Sequence, residues 1–275
     1  MSKEIYLGNI QEKINNKEAV VIAGVGSGAT AKAASCGGAD VLATYNTAVY
    51  RIQGIPTAMA FLPYDDCNSL ALNSAPQVVA NAGDVPVLLG IGAHDPRRNL
   101  SKLVDQAKDL GMAGVTNEPF IGMYEGDLRK QIEAAGLGFD KEVELIKIAS
   151  EKGLMTLAYV FTPEEALRMI EAGVDLIGAM VGGVTSGGNA GGVASVSLDN
   201  AIETINSITK AVASTGKEVP VLVHGGPLND VKSVQTVLDT TDAVGYITGS
   251  TGERLPIERS VKEAIAAFKS LRKEK

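Results

Sequence analysis

The chain has 275 residues, 45% of them hydrophobic, and carries a formal net charge of −7. That length suits one α/β barrel with a large core, and the apolar fraction excludes a disordered chain. An acidic chain without a long Lys/Arg cluster argues against nucleic acid or an anionic membrane as its main partner. Met1 to Tyr6 lacks the charged and apolar regions of a signal peptide, and no apolar run approaches the roughly 18 residues of a spanning helix. Two cysteines, Cys36 and Cys67, make no disulfide framework, so a cytoplasmic location is expected.

Eight short apolar runs read as parallel strands buried on both faces. In chain order they are Ala19–Gly24, Asp40–Tyr45, Pro86–Gly90, Met112–Asn117, Leu154–Val160, Asp175–Val181, Val219–His224 and Ala243–Gly249. Amphipathic helices fall between most of them: Asn99–Leu110, Asp140–Lys152 and Ser197–Thr215. A last one, near Ile257–Arg272, carries Val261, Ile265, Phe268 and Leu271 on one face. Thr162-Pro-Glu-Glu165 has the residues of a helix start, and Gly111, Gly153, Gly173 and Gly216 stand where helices should stop. Eight repeats of strand and helix predict a closed (β/α)8 TIM barrel, one domain over residues 1–275. Long loops are expected after strands 2 and 4, at Asn46–Asn68 and Glu118–Phe139, and both should overhang the C-terminal face.

The candidate chemistry gathers at strand ends. His224-Gly-Gly-Pro227 and Gly249-Ser-Thr251 follow the last two strands, where barrels commonly build a phosphate cup. Gly225, Gly226, Gly249, Ser250 and Thr251 are therefore expected to bind an anion, unless the glycines serve only as tight turns. The two histidines, His94 and His224, both fall at strand ends, and imidazole suits acid–base work near neutral pH. The alternative for each is a hydrogen bond to a neighbouring loop carbonyl. Arg51 in the long second loop and Arg254 after the cup could fork onto a carboxylate or phosphate, or simply form salt bridges. Glu118 is an acid–base or metal candidate. Asp95 could join it on one Mg2+ or, more commonly, cap the third helix. Cys67 reads as a buried free thiol. The glycine-rich stretch Gly182–Gly192 could be a lid, an anion nest or a surface loop. Gly24–Gly28, with Lys32 beyond it, lacks the spacing of a nucleotide P-loop.

A resemblance covers nearly the whole chain. It is carried by Gly24-Val-Gly-Ser-Gly28 with Ala31-Lys32, Tyr45-Asn46, Tyr50-Arg51, Leu62-Pro-Tyr-Asp65 and Asp95-Pro96. Glu142-Val143, Tyr159-Val-Phe161, His224-Gly-Gly-Pro227 and Glu253-Arg-Leu-Pro256 complete it. With these motifs the sequence resembles the phosphoenolpyruvate hydrolase-like TIM-barrel family. The resemblance implies an enzyme that cleaves a small phosphorylated or 2-oxo-acid metabolite by hydrolysis or a lyase reaction. It adds Gly26, Ser27, Tyr45 and Asn46 to the expected ligand-binding set. The related Mg2+-dependent barrels hold their metal through acids after strands 2, 3 and 4. Here strand 2 ends in Thr44-Tyr45-Asn46, strand 3 offers His94-Asp95 and strand 4 offers Asn117-Glu118, so the donor set for Mg2+ is incomplete. The alternatives are a non-catalytic ligand-binding or signalling barrel, and an isomerase or aldolase barrel. The partners expected are a small anionic metabolite and further copies of the chain, with no nucleic acid and no membrane.

Overall fold

The computed structural model describes residues 2–182 and 196–273. Helix α1 (Lys3–Asn15) precedes β1 (Val20–Gly24), α2 (Gly28–Cys36) and β2 (Val41–Thr44). Then come α3 (Asn46–Ile52), α4 (Cys67–Val79), β3 (Val87–Gly90), α5 (Leu100–Asp109) and β4 (Gly114–Thr116). They are followed by α6 (Gly126–Ala134), α7 (Phe139–Glu151), β5 (Met155–Val160), α8 (Pro163–Glu171) and β6 (Leu176–Met180). The chain ends with α9 (Leu198–Ser214), β7 (Val221–His224), α10 (Val231–Thr240), β8 (Gly245–Thr248) and α11 (Arg254–Lys269). The strands form a closed parallel barrel in sequence order, sealed where Val20 pairs with Gly245 and Ile22 with Ile247. The expected (β/α)8 TIM barrel is thus the observed fold, with each strand trimmed by one to three residues.

Alternation along the strands divides the core into layers. Val20, Ile22, Val41, Leu88, Met155, Leu157, Leu176, Leu222 and Ile247 fill the barrel interior. Their neighbours, such as Leu42, Leu89, Ile177 and Val223, face outward against the helices. Strands sandwiched in this way are buried on both faces and mostly apolar, which is why they read as near-continuous runs. The helix starts also follow the sequence. Asn99, Thr162 and Ser197 accept from the backbone N–H of Lys102, Glu165 and Asn200, respectively. Each such cap contributes about 1 kcal/mol.

Three expectations change. The segment after β2 is not a loop: it folds as α3, a 3-10 turn at Thr57–Phe61 and the start of α4. The segment after β4 holds a 3-10 turn at Ile121–Met123 and α6. The apolar face of the last helix does not pack on the barrel. Val261, Ile265, Phe268 and Leu271 are 57%, 63%, 71% and 72% exposed, and Arg254 is the one buried residue of α11. The glycine-rich stretch after β6 lies outside the described residues beyond Gly182. No helix among the described residues is long and apolar enough to cross a membrane.

Candidate active site at the barrel mouth

Strand ends converge on a cavity of about 40 Å3 at the C-terminal mouth. Tyr45 after β2, Glu118 after β4, His224 at the end of β7 and Gly249 after β8 line it, with Arg51 reaching in from α3. Glu118 is buried, and its carboxylate accepts a 2.7 Å hydrogen bond from Thr47 Oγ1. Burial raises this carboxyl to about 7, against the opposing pull of Thr47 and Arg51. A carboxyl that titrates near neutrality can both take and return a proton.

His224 is tuned the other way. Its Nδ1 lies 2.6 Å from the Ile247 carbonyl oxygen, which can only accept. The ring proton is therefore assigned to Nδ1, leaving Nε2 with its lone pair. Burial lowers the imidazole to about 4, with Arg51 adding to the effect and the Ile247 contact opposing it. His224 is thus neutral at pH 7 and acts as an acceptor. The Tyr159 ring packs beside it, centroids 5.5 Å apart, and burial holds the Tyr159 phenol well above its usual range.

The main chain after β4 is held by a buried bracket. Asn117 Nδ2 donates to Glu142 Oε2 and to the Tyr159 carbonyl, and Asn117 Oδ1 accepts from Tyr159 N at 2.7 Å. Glu142 Oε1 accepts from Ile121 N at 2.7 Å. This bracket fixes Glu118 between its neighbours Asn117 and Ile121. Burial raises the Glu142 carboxyl to about 8.

Opposite this bracket, the chain supplies its own anion. Glu253 is 2% exposed. Its Oε1 accepts from Gly26 N at 2.6 Å and from Thr30 Oγ1 at 2.8 Å, and its Oε2 accepts from Arg51 Nε at 3.0 Å. Helix α2 has no acidic residue in its own first turn, so Glu253 supplies the negative charge that a helix N-terminus favours. Arg51 also donates from Nη2 to the Gly24 carbonyl at 3.2 Å and lies over the Tyr45 ring. Arg51 therefore belongs to a helix and a buried ion pair, not to an open lid. The Gly26 N–H and the Ser27 hydroxyl, expected to meet a ligand, are engaged inside the protein, since Ser27 caps α2. A Cβ on Gly26 would sit 2.2 Å from the Ala48 carbonyl oxygen, so close packing already demands glycine there.

The expected phosphate cup divides. Gly225, Gly249 and Ser250 line the cavity. Gly226 has φ +54°, and a Cβ there would meet the Val181 carbonyl oxygen at 1.9 Å, so it serves packing against the end of β6. The Thr251 hydroxyl pairs with Tyr246 Oη at 2.8 Å. Arg254 is buried and donates from Nη1 to Glu258 at 2.9 and 3.1 Å. Sequence reasoning passed over Thr47, and it named Asn117, Glu142, Tyr159 and Glu253 only as members of motifs, without a role.

His94 and Asn46 belong to a second, larger chamber of about 410 Å3 over β2, β3 and β4. The two histidines thus do not share a cavity. Burial lowers His94, while nearby Asp95 opposes the shift. Asp95 does not cap α5, a role taken by Asn99. Its carboxylate receives Arg97 Nε at 2.8 Å and Arg97 Nη2 at 2.9 Å. The Cys67 thiol, in the same chamber wall, is pushed up to about 11 by burial.

The donor set does not fit a divalent metal. No group of three or more His, Cys, Asp or Glu among the described residues is placed to hold an ion. Among the described residues Glu118 is the one carboxylate lining the central cavity, and Asp95 is committed to Arg97.

A family model described as phosphoenolpyruvate hydrolase-like matches residues 6–271. The chain is 34% identical over 268 residues to the tomato (Solanum lycopersicum) ToMV susceptible protein tm-1(GCR26), covering 97% of this chain and 35% of that protein. It therefore spans about a third of the length of the curated relatives it matches. Among solved structures, phosphonopyruvate hydrolase in complex with oxalate and Mg++ has a TM-score of 0.63 at 14% identity, over 98% of this chain and 87% of that one. Phosphoenolpyruvate phosphomutase from Streptomyces platensis subsp. rosaceus has a TM-score of 0.62 at 16% identity, over 96% and 87%. At these identities the structures share the barrel fold.

Proposed function

The chain belongs to the phosphoenolpyruvate hydrolase-like family, and from that premise we propose an enzyme that cleaves a small anionic carboxylic or 2-oxo acid at the barrel mouth. The observation that carries this reading is the pairing, in one cavity, of a carboxyl poised at about 7 with a neutral imidazole. Two titratable groups whose surroundings push them apart mark an acid–base site. Ionised Glu118 takes a proton from the substrate or from an attacking water. Protonated Glu118 returns it to the leaving group. His224 Nε2 accepts a hydrogen bond from the attacking water and orients it. Arg51, with Glu253 behind it, supplies the positive edge beside Gly249 that meets the substrate's anionic end. No step is routed through a metal, because the donors do not fit one.

A screen of 2-oxo acids, phosphonates and phosphoenolpyruvate, with and without Mg2+, tests the reading. Turnover that disappears in Glu118→Gln supports it. Turnover that survives that change refutes the assignment, and no turnover of any of these compounds refutes the activity. The small volume of the central cavity favours a second reading, a barrel that holds a ligand without converting it. Its signature is tight retention without turnover.

We also propose that the chain assembles with copies of itself through α11. Ile257, Val261, Ile265, Phe268 and Leu271 recur every three or four residues as an exposed apolar stripe. The outward residues of β8, Tyr246 and Thr248, are only half-buried, whereas β2 to β6 are buried throughout. One stripe covering a partner's half-buried strand would bury both. Light scattering on the intact chain and on Phe268→Glu tests this: a monomer in both sinks it.

A further inference from the structure

The central cavity and the larger chamber share two residues, Phe61 and Phe120, whose ring centroids lie 5.4 Å apart. The spaces they separate differ in size and in chemistry. The central cavity, at about 40 Å3, has room for roughly two or three water-sized groups. That accommodates a carboxylate or carbonyl, not a whole metabolite. The chamber's 410 Å3 lies within the range of sites that hold small organic molecules.

The chamber walls are mostly apolar, with Leu62, Pro63, Pro96, Pro119, Leu128 and Ile132 among them. Its single guanidinium, Arg97, is bound twice to Asp95, so no unneutralised cation lines it to seat an anion. Two polar atoms of its wall residues are buried without a hydrogen-bond partner among the described residues, Asn46 Oδ1 and His94 Nδ1. Asn46 as a whole is 2% exposed. Buried polar atoms left unpaired are rare in folded proteins and point to a missing partner. A ligand hydroxyl has the chemistry to fill that gap, because it both donates and accepts.

We propose that the substrate is a carboxylic or 2-oxo acid with a bulky, uncharged, largely apolar substituent that carries a hydroxyl, its reacting end in the central cavity and its substituent in the lateral chamber. The substrate would bridge the two spaces past Phe61 and Phe120, which line both. The location of the reacting end rests on the acid–base reading above. The apolar subsite rests on the chamber alone.

The chain contains no Trp. Leu128 lines the chamber and is 54% exposed, so Leu128→Trp installs a single emission reporter at its rim. The probes are pyruvate, 2-oxobutanoate, 2-oxopentanoate and 4-methyl-2-oxopentanoate, with calorimetry on the unsubstituted protein as a second measurement. Affinity is expected to tighten about fourfold per added methylene, the usual effect of burying one. A flat series, or no binding by any probe in either measurement, overturns the subsite. Glu118→Gln separates the two claims. It should abolish turnover yet keep the chain-length slope. Full turnover in that variant with the slope intact refutes the acid–base reading alone, and a flat series with normal turnover refutes the subsite alone.

Discussion

The two sides of the barrel mouth handle charge in opposite ways. On the β8–β1 side, the Gly26 N–H, the Thr30 hydroxyl and the Arg51 guanidinium all close on Glu253, a residue of the same chain. On the β4 side, Glu118 is buried with one hydroxyl donor, from Thr47, and its carboxyl rises to about 7. Both sides carry a buried glutamate. One is neutralised by a cation and a helix N-terminus, while the other is held at the edge of ionisation. The glycine-rich side, which looks most like a ligand site in sequence, is largely engaged internally. The carboxyl proposed to react, Glu118, lies on the β4 side.

The largest expected effect breaks the β4 side. Glu118→Gln should lower turnover by roughly 10²- to 10⁴-fold, the usual contribution of a positioned acid–base group. The rise of activity through a pH of about 7 should vanish with it. A variant that keeps that pH limb shows the titrating group to be elsewhere.

Breaking the other side should show in stability. Glu253→Ala leaves Arg51 buried without its counter-charge and should cost about 3–5 kcal/mol in urea unfolding. Inorganic phosphate or sulfate should then raise the Tm of the variant by more than that of the parent protein. An equal shift in both would mean that Glu253 does not occupy an anion seat.

The pH dependence of stability sharpens the contrast. Glu118 is raised from 4.5 to about 7 on folding, so the folded chain holds its proton more tightly than the unfolded one. The stability this confers is complete below about 4.5 and is lost as the pH rises through about 7. Glu118→Gln has no charge to bury. It should therefore outlast the parent at pH 8, by on the order of 3 kcal/mol, with the gap closing towards pH 4.5. A gap that does not change with pH contradicts the buried, raised carboxyl. The smallest effect concerns the α2 cap: Ser27→Ala should cost about 1 kcal/mol in thermal unfolding. A loss of ligand affinity without that loss of stability would return Ser27 to the ligand site.

The barrel was legible because parallel strands sandwiched between layers are buried at every position and mostly apolar, as in β5 and β6. Helices α5 and α9 were legible because each has one apolar face and a capping side chain. Helix α3 was not. It buries Asn46, Thr47 and Arg51, so its inward face is polar and imitates a loop. Of the site, strand-end positions such as Glu118 and His224 could be read from the fold class. The partners that set their chemistry could not. Arg51 and Glu253 are 202 residues apart, and only closing the barrel brings them together. Burial, which raises Glu118 and lowers His224, belongs to the assembled structure and not to any local pattern.

On the proposed self-association, the outward stripe of α11 would make stability a matter of mass action. If copies cover one another's stripes, folding and association share one equilibrium, and the melting temperature becomes a function of protein concentration. Dilution would then weaken the fold with no change in sequence or solvent. A charge at Phe268, 71% exposed, would remove that dependence while leaving the barrel's own interior layers as they are.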